Sequence, residues 1–256
     1  MTTAPENTAE IAVNHGPMHQ FEIHKLLDFS LFGVDLSITN SVVMMFGVIG
    51  VIIGVLWFCV RGAKIIPTKS QVIIEGLYNM VSKLISSNIE NKTKLKYFPL
   101  VLSLFLFVLM SNALGIVPYT FTVTSHISVT FALAFIVFAT VVVIGMVRKG
   151  PIGFFAAFIP SGIPIALAPL MLIIEFFAYL ARPCTLAIRL AANMMAGHTM
   201  LKVIATFVGS MGVMGILPIG FISILTGFEI FVACLQAYIF SILTCIYINE
   251  ALSDAH

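Results

Sequence analysis

The chain has 256 residues, of which 60% are hydrophobic and only 9% are charged, and its mean hydropathy is +1.09. Globular proteins average about 25% charged residues, so a soluble protein of this size could not cover its surface with so few. A lipid bilayer removes that need, because it is itself an apolar solvent. The composition therefore predicts an integral membrane protein and argues against soluble enzymes. The net charge of +2 is too small to indicate a nucleic acid or another polyanion as partner.

The first 40 residues form a polar segment in which Lys25 is the only Lys or Arg, against five acidic residues. Loops rich in Lys and Arg stay on the cytoplasmic or matrix side, so we expect residues 1–40 on the outer side of the membrane. No basic stretch is followed by a short apolar one, and we therefore expect no cleavable signal peptide.

Three apolar stretches of about 20 residues follow, at 41–60, 98–118 and 127–147, and none contains a charged residue. As helices that rise about 1.5 Å per residue, each is long enough to cross a hydrocarbon core of about 30 Å. The pattern predicts three simple transmembrane helices, with the connection 119–126 on the outer side.

A basic segment, 61–96, lies between the first two stretches and holds seven Lys or Arg against Glu75 and Glu90. Together with Arg148 and Lys149 it marks the cytoplasmic or matrix side. Within it, residues 69–90 place apolar side chains near one helical face: Val72, Leu77, Met80, Val81 and Leu84. This pattern predicts an amphipathic helix at the membrane interface, and a short soluble hairpin is the alternative.

The last two apolar stretches, 163–207 and 215–250, are much longer and contain charged residues. As helices they would measure roughly 50–65 Å, so they must tilt steeply, bend or break. Pro164, Pro169, Pro183 and Gly227 permit bends. We therefore predict an all-α membrane protein in which three simple transmembrane helices and one interfacial amphipathic helix accompany a hairpin of two long, tilted helices. The C-terminus is expected inside.

Ionisable residues at membrane depth are costly and usually functional. Glu175, Arg182 and Arg189 are spaced by seven residues, so on a helix they drift only about 20° per step and share one face. Asn193 lies one turn beyond Arg189. Small side chains surround this stripe at positions 178, 181, 185, 192 and 196, and small residues let another helix approach closely. The stripe predicts a contact surface for a partner helix.

Arg189 has no carboxylate three or four residues away, and an arginine cannot lose its proton at any accessible pH. It would block proton or cation leakage, and it would favour the ionised form of a carboxylate brought beside it. A carboxylate on a second, moving subunit fits this best. The alternative is an internal ion pair with Glu175 or Glu229.

On an ideal helix His198 lies about 180° from Arg189, so we expect it to face the last helix, where Glu229 and Gln236 share one face. A histidine whose ordinary pKa is about 6.5 suits proton relay. The alternatives are a structural hydrogen bond for His198 and a buried cation as the partner of Glu229. Arg182 and Lys202 can also be read as side chains that extend to the headgroups.

The four cysteines, Cys59, Cys184, Cys234 and Cys245, lie in apolar stretches without a CxxC pair. We expect no disulfide, no metal site and no cofactor. The nucleotide-binding pattern GxxxxGK[ST] and the metalloprotease pattern HExxH are both absent from the sequence.

Three runs resemble one known family. The run LARPCTLAIRLAANMMAGHTMLKVIA contains Arg189, and GFEIFVACLQAYIFSILTCIYIN contains Glu229. With PLVLSLFLFVLMSNALGIVPYTFTVTSHI, they resemble subunit a of F-type ATP synthases, the proton-channel subunit of the membrane sector. The resemblance covers roughly residues 20–252. The patterns RLxxNxxAGH and ExxxxxxQAYIF carry most of its specificity.

This resemblance implies that Arg189 is the essential arginine that faces the c-ring and separates two proton half-channels. It implies an outer proton path through Glu229 and His198, with Asn193 and Gln236 flanking the arginine and Asn112 as a further polar group. Glu175 corresponds to an acid on the inner path. The acid and the histidine are placed as in mitochondrial and α-proteobacterial members.

The implied partners are the c-ring, the peripheral-stalk subunit b, other subunits of the Fo and F1 sectors, membrane lipid and the transported proton. The chain itself would be non-catalytic, in a bacterial plasma membrane or a mitochondrial inner membrane. A stand-alone secondary transporter is the alternative, but no internal repeat is evident in the sequence. An intramembrane enzyme or a haem protein fits less well, because only one histidine lies deep. The ion, proton or sodium, and the number of c-ring subunits depend on the partner.

Overall fold

The computed structural model describes residues 25–27, 30–31, 34–35, 38–61, 67–89, 94–117, 122–156, 167–210 and 215–252. Its helices are α1 (Asn40–Val60), α2 (Lys69–Asn88), α3 (Lys94–Gly115), α4 (Ile127–Ala156), α5 (Ala168–Ser210) and α6 (Ile216–Leu252). Four strands of two or three residues precede α1: β1 (Lys25–Leu27), β2 (Ser30–Leu31), β3 (Val34–Asp35) and β4 (Ile38–Thr39). They form two antiparallel pairs, β1 with β4 and β2 with β3.

Five helices of the described chain are long and apolar enough to cross a membrane: Asn40–Val60, Leu95–Gly115, Ile127–Gly150, Pro169–Val208 and Ile216–Leu252. Large apolar side chains point outward from them, for example Phe58 at 75% exposure and Ile224 at 71%. Such extensive apolar surface would be unfavourable in water but is expected against lipid or a partner helix. The prediction of an all-α membrane protein is confirmed.

Helix α2 is continuous over Lys69–Asn88 and is not a hairpin. Val81, Leu84 and Ile85 are buried, and the helix contacts α1, α3 and α6. Val72, which the sequence pattern assigned to the same face, is instead 53% exposed. The part of α2 that packs on the other helices therefore lies nearer to its C-terminal end than the apolar pattern alone indicated.

Helix α6 lies at the centre of the bundle and contacts α2, α3, α4 and α5. Its buried residues recur at intervals of three and four, as one stripe of a helix does, and most are small: Ala233, Gln236, Ala237, Phe240, Ser241, Thr244, Cys245, Ile248 and Ala251. Small residues allow close approach of neighbouring helices in a membrane. The buried hydroxyls of Ser241 and Thr244 donate to carbonyls one turn earlier, at 3.0 and 2.8 Å, so they need no partner outside the helix.

Helix α4 changes direction at Gly150, whose φ of +70° belongs to the left-handed region that glycine adopts without strain. Beyond this point the helix continues to Ala156, further than the predicted end of the span at 147. The turn brings Phe154 back onto Gly145, where a Cβ would lie 2.7 Å from the ring. Phe154 also contacts Tyr179 of α5, with 6.0 Å between the ring centroids. The segment after Gly150 therefore packs against α5.

Helices α5 and α6 have 43 and 37 residues, so they measure roughly 65 and 55 Å and exceed a hydrocarbon core of about 30 Å. Pro183 lies inside α5, and the helix runs through it without a break. Pro169 occupies the first turn of α5, where a missing backbone N–H costs nothing. Pro164, the third candidate bend in this stretch, lies outside the described residues.

We expect Ala237→Leu to destabilise the protein by about 1–3 kcal/mol, because position 237 is fully buried between α6 and its neighbours and a larger side chain would force them apart. The matched control is Cys234→Leu, since Cys234 is exposed on the same helix. Thermal unfolding of the two purified variants in one detergent is the measurement. Equal midpoints for both variants would show that this helix contact does not limit stability.

Candidate functional site

The structure places the seven site residues proposed from the sequence in three environments. Asn112, Glu229 and Gln236 are buried. Glu175, Asn193 and His198 are partly buried, and Arg189 is exposed. The exposed residue lies on the outer face of α5, whereas the buried acid and amides lie on α3 and α6, inside the bundle.

The face of α5 that carries Arg189 is open along its length. Exposed residues recur on it at intervals of three and four, and most are small: Ala178, Ala181, Thr185, Arg189, Ala192 and Ala196. The opposite face, with Leu186, Leu190 and Met194, is buried against the bundle. Within the described part of the chain, Arg189 makes no ion pair or hydrogen bond, so neither Glu175 nor Glu229 is its partner. An ionisable residue at membrane depth is costly and usually functional.

Glu229 and His198 meet where α5 and α6 pack together. His198 Nε2 lies 3.8 Å from Glu229 Oε1, and the two side chains are 11% and 8% exposed. Gly197 leaves room for the carboxylate in this position, because a Cβ at 197 would lie only 2.6 Å from Glu229 Oε1. Neither carboxylate oxygen of Glu229 has a hydrogen-bond partner among the described residues. A buried carboxylate in this situation is costly unless water, a proton or another polar group reaches it.

A short 3-10 turn, Val123–Ser125, supplies the next polar contact and packs against α3, α4 and α5. Just before the turn, Thr122 Oγ1 lies 3.1 Å from His198 Nε2, and it also donates to the Gly115 carbonyl at 3.4 Å. Ser125 Oγ donates to the Thr122 carbonyl at 2.7 Å, which holds the turn in shape. A hydroxyl and a carboxylate therefore approach the same ring nitrogen, Nε2 of His198.

The apolar pattern of the sequence indicates 119–126 only as a connection on the outer side, and it does not reveal that these hydroxyl groups belong to the site. Thr122, Thr124 and Ser125 are all buried, which is unusual for a loop that joins two membrane helices. The available signal was the density of hydroxyl residues in the run TFTVTSH directly after the helix that carries Asn112. At the end of the turn, burial lowers the pKa of His126 below its ordinary value.

Asn112 connects this turn to α6. Thr124 Oγ1 donates to Asn112 Oδ1 at 2.8 Å, and Asn112 Nδ2 donates to the carbonyl of Ala233 at 3.3 Å. Ala233 lies one turn beyond Glu229. Asn112 is fully buried, so its hydrogen bonds hold the turn, α3 and α6 in register close to the acid. Gln236, on the same side of α6, has no partner for its Nε2 within the described structure.

A groove of about 210 Å³ opens between α5 and α6 on the other side of Glu229. Asn193, Gly197 and Glu229 line it together with apolar side chains from both helices. Because Asn193 lies one turn from Arg189, the groove leads towards the open face of α5. Glu229 can thus be reached both from the His198 side and from the face that carries Arg189.

An ion pair between Arg182 and Glu250 joins α5 and α6 at the end opposite to His198 and Glu229. The guanidinium contacts both carboxylate oxygens, with 2.9 Å between Nη2 and Oε1. It also lies 5.1 Å from the ring centre of Tyr179 and 5.4 Å from that of Tyr247. Arg182 therefore has a partner within the chain, rather than extending alone towards the headgroups. Glu250 stands at the end of the last apolar stretch, so its position in the sequence gives no sign of this ion pair.

Glu175 lies seven residues before Arg182 on α5 and is partly buried. It makes no hydrogen bond or ion pair with the described residues. Across the same residues, no group of three His, Cys, Asp or Glu side chains is placed to hold a metal ion. The four cysteines are free.

A family model described as ATP synthase A chain matches residues 42–249 of the 256-residue chain. The match begins inside α1 and ends within the last turn of α6. It therefore includes the open face of α5, the pair of His198 and Glu229, and the buried turn around Thr122.

We expect Arg182 and Glu250 to couple by on the order of 1 kcal/mol in a double-mutant cycle, because a bidentate pair is lost when either partner is replaced. Arg182→Gln and Glu250→Gln should each lower the thermal unfolding midpoint, and the double variant should lower it by less than the sum. Lys83→Gln, on the exposed side of α2, is the control for loss of one charge. Strictly additive effects would mean that the pair contributes nothing to the α5–α6 contact.

Proposed function

Since the chain belongs to the ATP synthase A chain family, we propose that it is the stator subunit that presents two offset proton half-channels to the carboxylates of a rotating c-ring. Members of this family are non-catalytic, multi-pass membrane subunits of the Fo sector and take part in proton transport for ATP synthesis. The main support for two half-channels that meet a c-ring is Arg189. It is a permanent cation on an open helix face and has no counter-ion among the described residues.

Arg189 acts as the divider between the two half-channels. A c-ring carboxylate that arrives beside it is favoured in its ionised form, because the guanidinium keeps its charge at every accessible pH. A free proton or other cation is repelled from the same place. The small residues around Arg189 allow a ring helix to approach closely enough for the two charges to meet.

The outer half-channel leads to this face through Thr122, His198 and Glu229. The hydroxyl of Thr122 and the carboxylate of Glu229 both lie near His198 Nε2, at 3.1 and 3.8 Å, and the groove beside Asn193 continues from Glu229 towards Arg189. A proton that binds the ring carboxylate here neutralises it, and the neutral acid can then turn towards lipid. Asn112 and Gln236 add polar groups to the wall of this path.

The inner half-channel begins near Glu175, on the part of α5 that precedes Arg189. The carboxylate of Glu175 has no partner among the described residues, so it is available to receive the proton released by the ring. The ion pair of Arg182 with Glu250 lies between the two along the helix and keeps α5 and α6 in contact there. Each proton that crosses 100 mV releases about 2.3 kcal/mol, so several protons are needed for each ATP.

The assembly that this proposal requires has the c-ring against the open face of α5 and the peripheral-stalk subunit b beside the remaining helices. The basic segment 61–96 and the C-terminus lie on the F1 side, and the N-terminus lies on the outer side. The placement of the histidine on α5 and the acid on α6 favours the mitochondrial or α-proteobacterial arrangement, in a mitochondrial inner membrane or a bacterial plasma membrane.

Arg189→Ala should reduce proton-driven ATP synthesis to background, because removal of the charge leaves a proton leak or a ring that no longer turns. Arg189→Lys should also fail, since lysine lacks the planar fork of donors and can lose its proton when desolvated. ATP synthesis by inverted membrane vesicles under a respiratory proton gradient is the measurement. The control is Thr185→Ser on the same face, which should retain synthesis. Near-normal synthesis by Arg189→Ala would rule out this role.

Thr122→Val should slow passive proton flux through the Fo sector about three- to tenfold, because one hydrogen bond to His198, worth about 0.5–1.5 kcal/mol, is lost. Thr122→Ser should retain the flux. Once His198 has been replaced by Ala, Thr122→Val should have no further effect, since the two groups act together. The control is Thr140→Val, whose hydroxyl donates only to its own helix. If the effects of Thr122 and His198 multiply independently, the path does not pass through this contact.

A further inference from the structure

A slot lies between α3 and α4, away from the site described above. It has a volume of about 580 Å³, within the range of about 300–1,000 Å³ that is usual for ligand pockets. The buried turn before α4 joins the two helices at their other end. The slot is therefore at the side of the membrane that carries the basic residues of 61–96 and the end of α4.

The walls of the slot are mainly apolar, and two cations stand at one end. Phe135, Ala139, Val143 and Val147 recur at every fourth position of α4 and line the slot along its length. The hydroxyl of Thr140 points into the same region but donates to the carbonyl of Ile136 at 2.8 Å, so it has no free proton to offer. The slot thus has little to bind a polar molecule along most of its length.

Lys96 and Arg148 are the two cations, one at the start of α3 and one near the end of the straight part of α4. Among the described residues, neither has an acidic partner. Lys96 Nζ lies 5.9 Å from the ring centre of Tyr97, which also lines the slot. The described residues provide no counter-ion for these two cations, which lie at the mouth of an apolar slot. A ligand that fits both features is an anion that carries an apolar chain.

The length of the slot matches one leaflet of a bilayer. From Arg148 to Phe135, α4 rises by about 20 Å, and one leaflet including its headgroup region is also about 20 Å thick. The α4 side chains of this wall are strongly exposed, up to 79% for Val147, so lipid can reach them. A free phosphate ion would use the two cations but would leave the apolar wall uncovered.

We propose that this slot binds one anionic phospholipid of the inner leaflet. Arg148 donates in bidentate fashion to the phosphate and Lys96 adds a second positive charge, while one acyl chain lies along α4 from Val147 to Phe135. Basic pockets between membrane helices on the cytoplasmic or matrix side are suited to anionic headgroups, because anionic lipids are concentrated in that leaflet. The site is independent of the proton path and does not depend on the proposed function.

Photolabelling of the intact complex tests the site directly. The complex that contains the full chain is placed in phosphatidylcholine nanodiscs with a trace of phosphatidylglycerol that carries a diazirine in its acyl chain. After irradiation, mass spectrometry should locate adducts on α4 between positions 135 and 147. Excess unlabelled phosphatidylglycerol should remove them, whereas excess phosphatidylcholine or inorganic phosphate should not.

Two variants separate the headgroup from the acyl chain. Lys96→Gln combined with Arg148→Gln should lower the yield of these adducts about tenfold to thirtyfold, because each cation near an anionic lipid contributes about one kilocalorie per mole. Ala139→Trp should lower the yield by filling the slot without changing any charge. The matched control is Lys69→Gln combined with Lys83→Gln, which removes two exposed charges from α2 and should leave the yield unchanged.

Several results would overturn the proposal. One is equal labelling by a phosphatidylcholine probe, and another is an unchanged yield in the variant that lacks both cations. A third is a protein subunit cross-linked to α4 at positions 135–147 with no lipid adduct there. Competition by inorganic phosphate would assign the cations to a free anion. The competition experiment uses the unmodified protein, so it remains decisive even where a variant fails to assemble.

Discussion

The close approach of α5 and α6 at Gly197 is the contact on which the polar interior depends. The carboxylate of Glu229 occupies the space that a side chain at 197 would take, since a Cβ there would lie 2.6 Å from Oε1. With the helices at this separation, His198 comes within 3.8 Å of the acid and Thr122 within 3.1 Å of the histidine. A larger residue at 197 would displace the carboxylate of Glu229 and so change its distance from His198.

Arg182 and Arg189 lie seven residues apart on α5, and their charges are compensated differently. Arg182 is compensated within the chain by Glu250 and two tyrosine rings, so it joins α5 to α6. Arg189 stands among small residues on the open face and has no such compensation in the described structure. The same residue type is structural at one position and available to a partner at the other, because only one of them has a carboxylate within reach on α6.

The outer surface of the bundle is chemically divided. Most of α1 and the outer faces of α4 and α6 present large apolar side chains, as expected against lipid. The open face of α5 presents small side chains and one cation, which suits a moving protein partner better than lipid. The slot between α3 and α4 combines apolar walls with two cations at one end, which suits an amphiphile. Under the proposed function, a ring could rotate against one face while lipid covers the others.

The sequence by itself determined the membrane class, the number of spanning helices, the small-residue face around Arg189 and the direction in which His198 points. Hydropathy and helical period are local properties, so they can be read from neighbouring residues. Only the tertiary structure decided the partner of Arg182, the role of Gly197 and the hydroxyls beside the site. These contacts join residues far apart in the chain: 68 positions separate Arg182 from Glu250, 76 separate Thr122 from His198, and 121 separate Asn112 from Ala233. No local pattern specifies which carboxylate or hydroxyl will meet which cation or imidazole, because that depends on how the helices pack around α6.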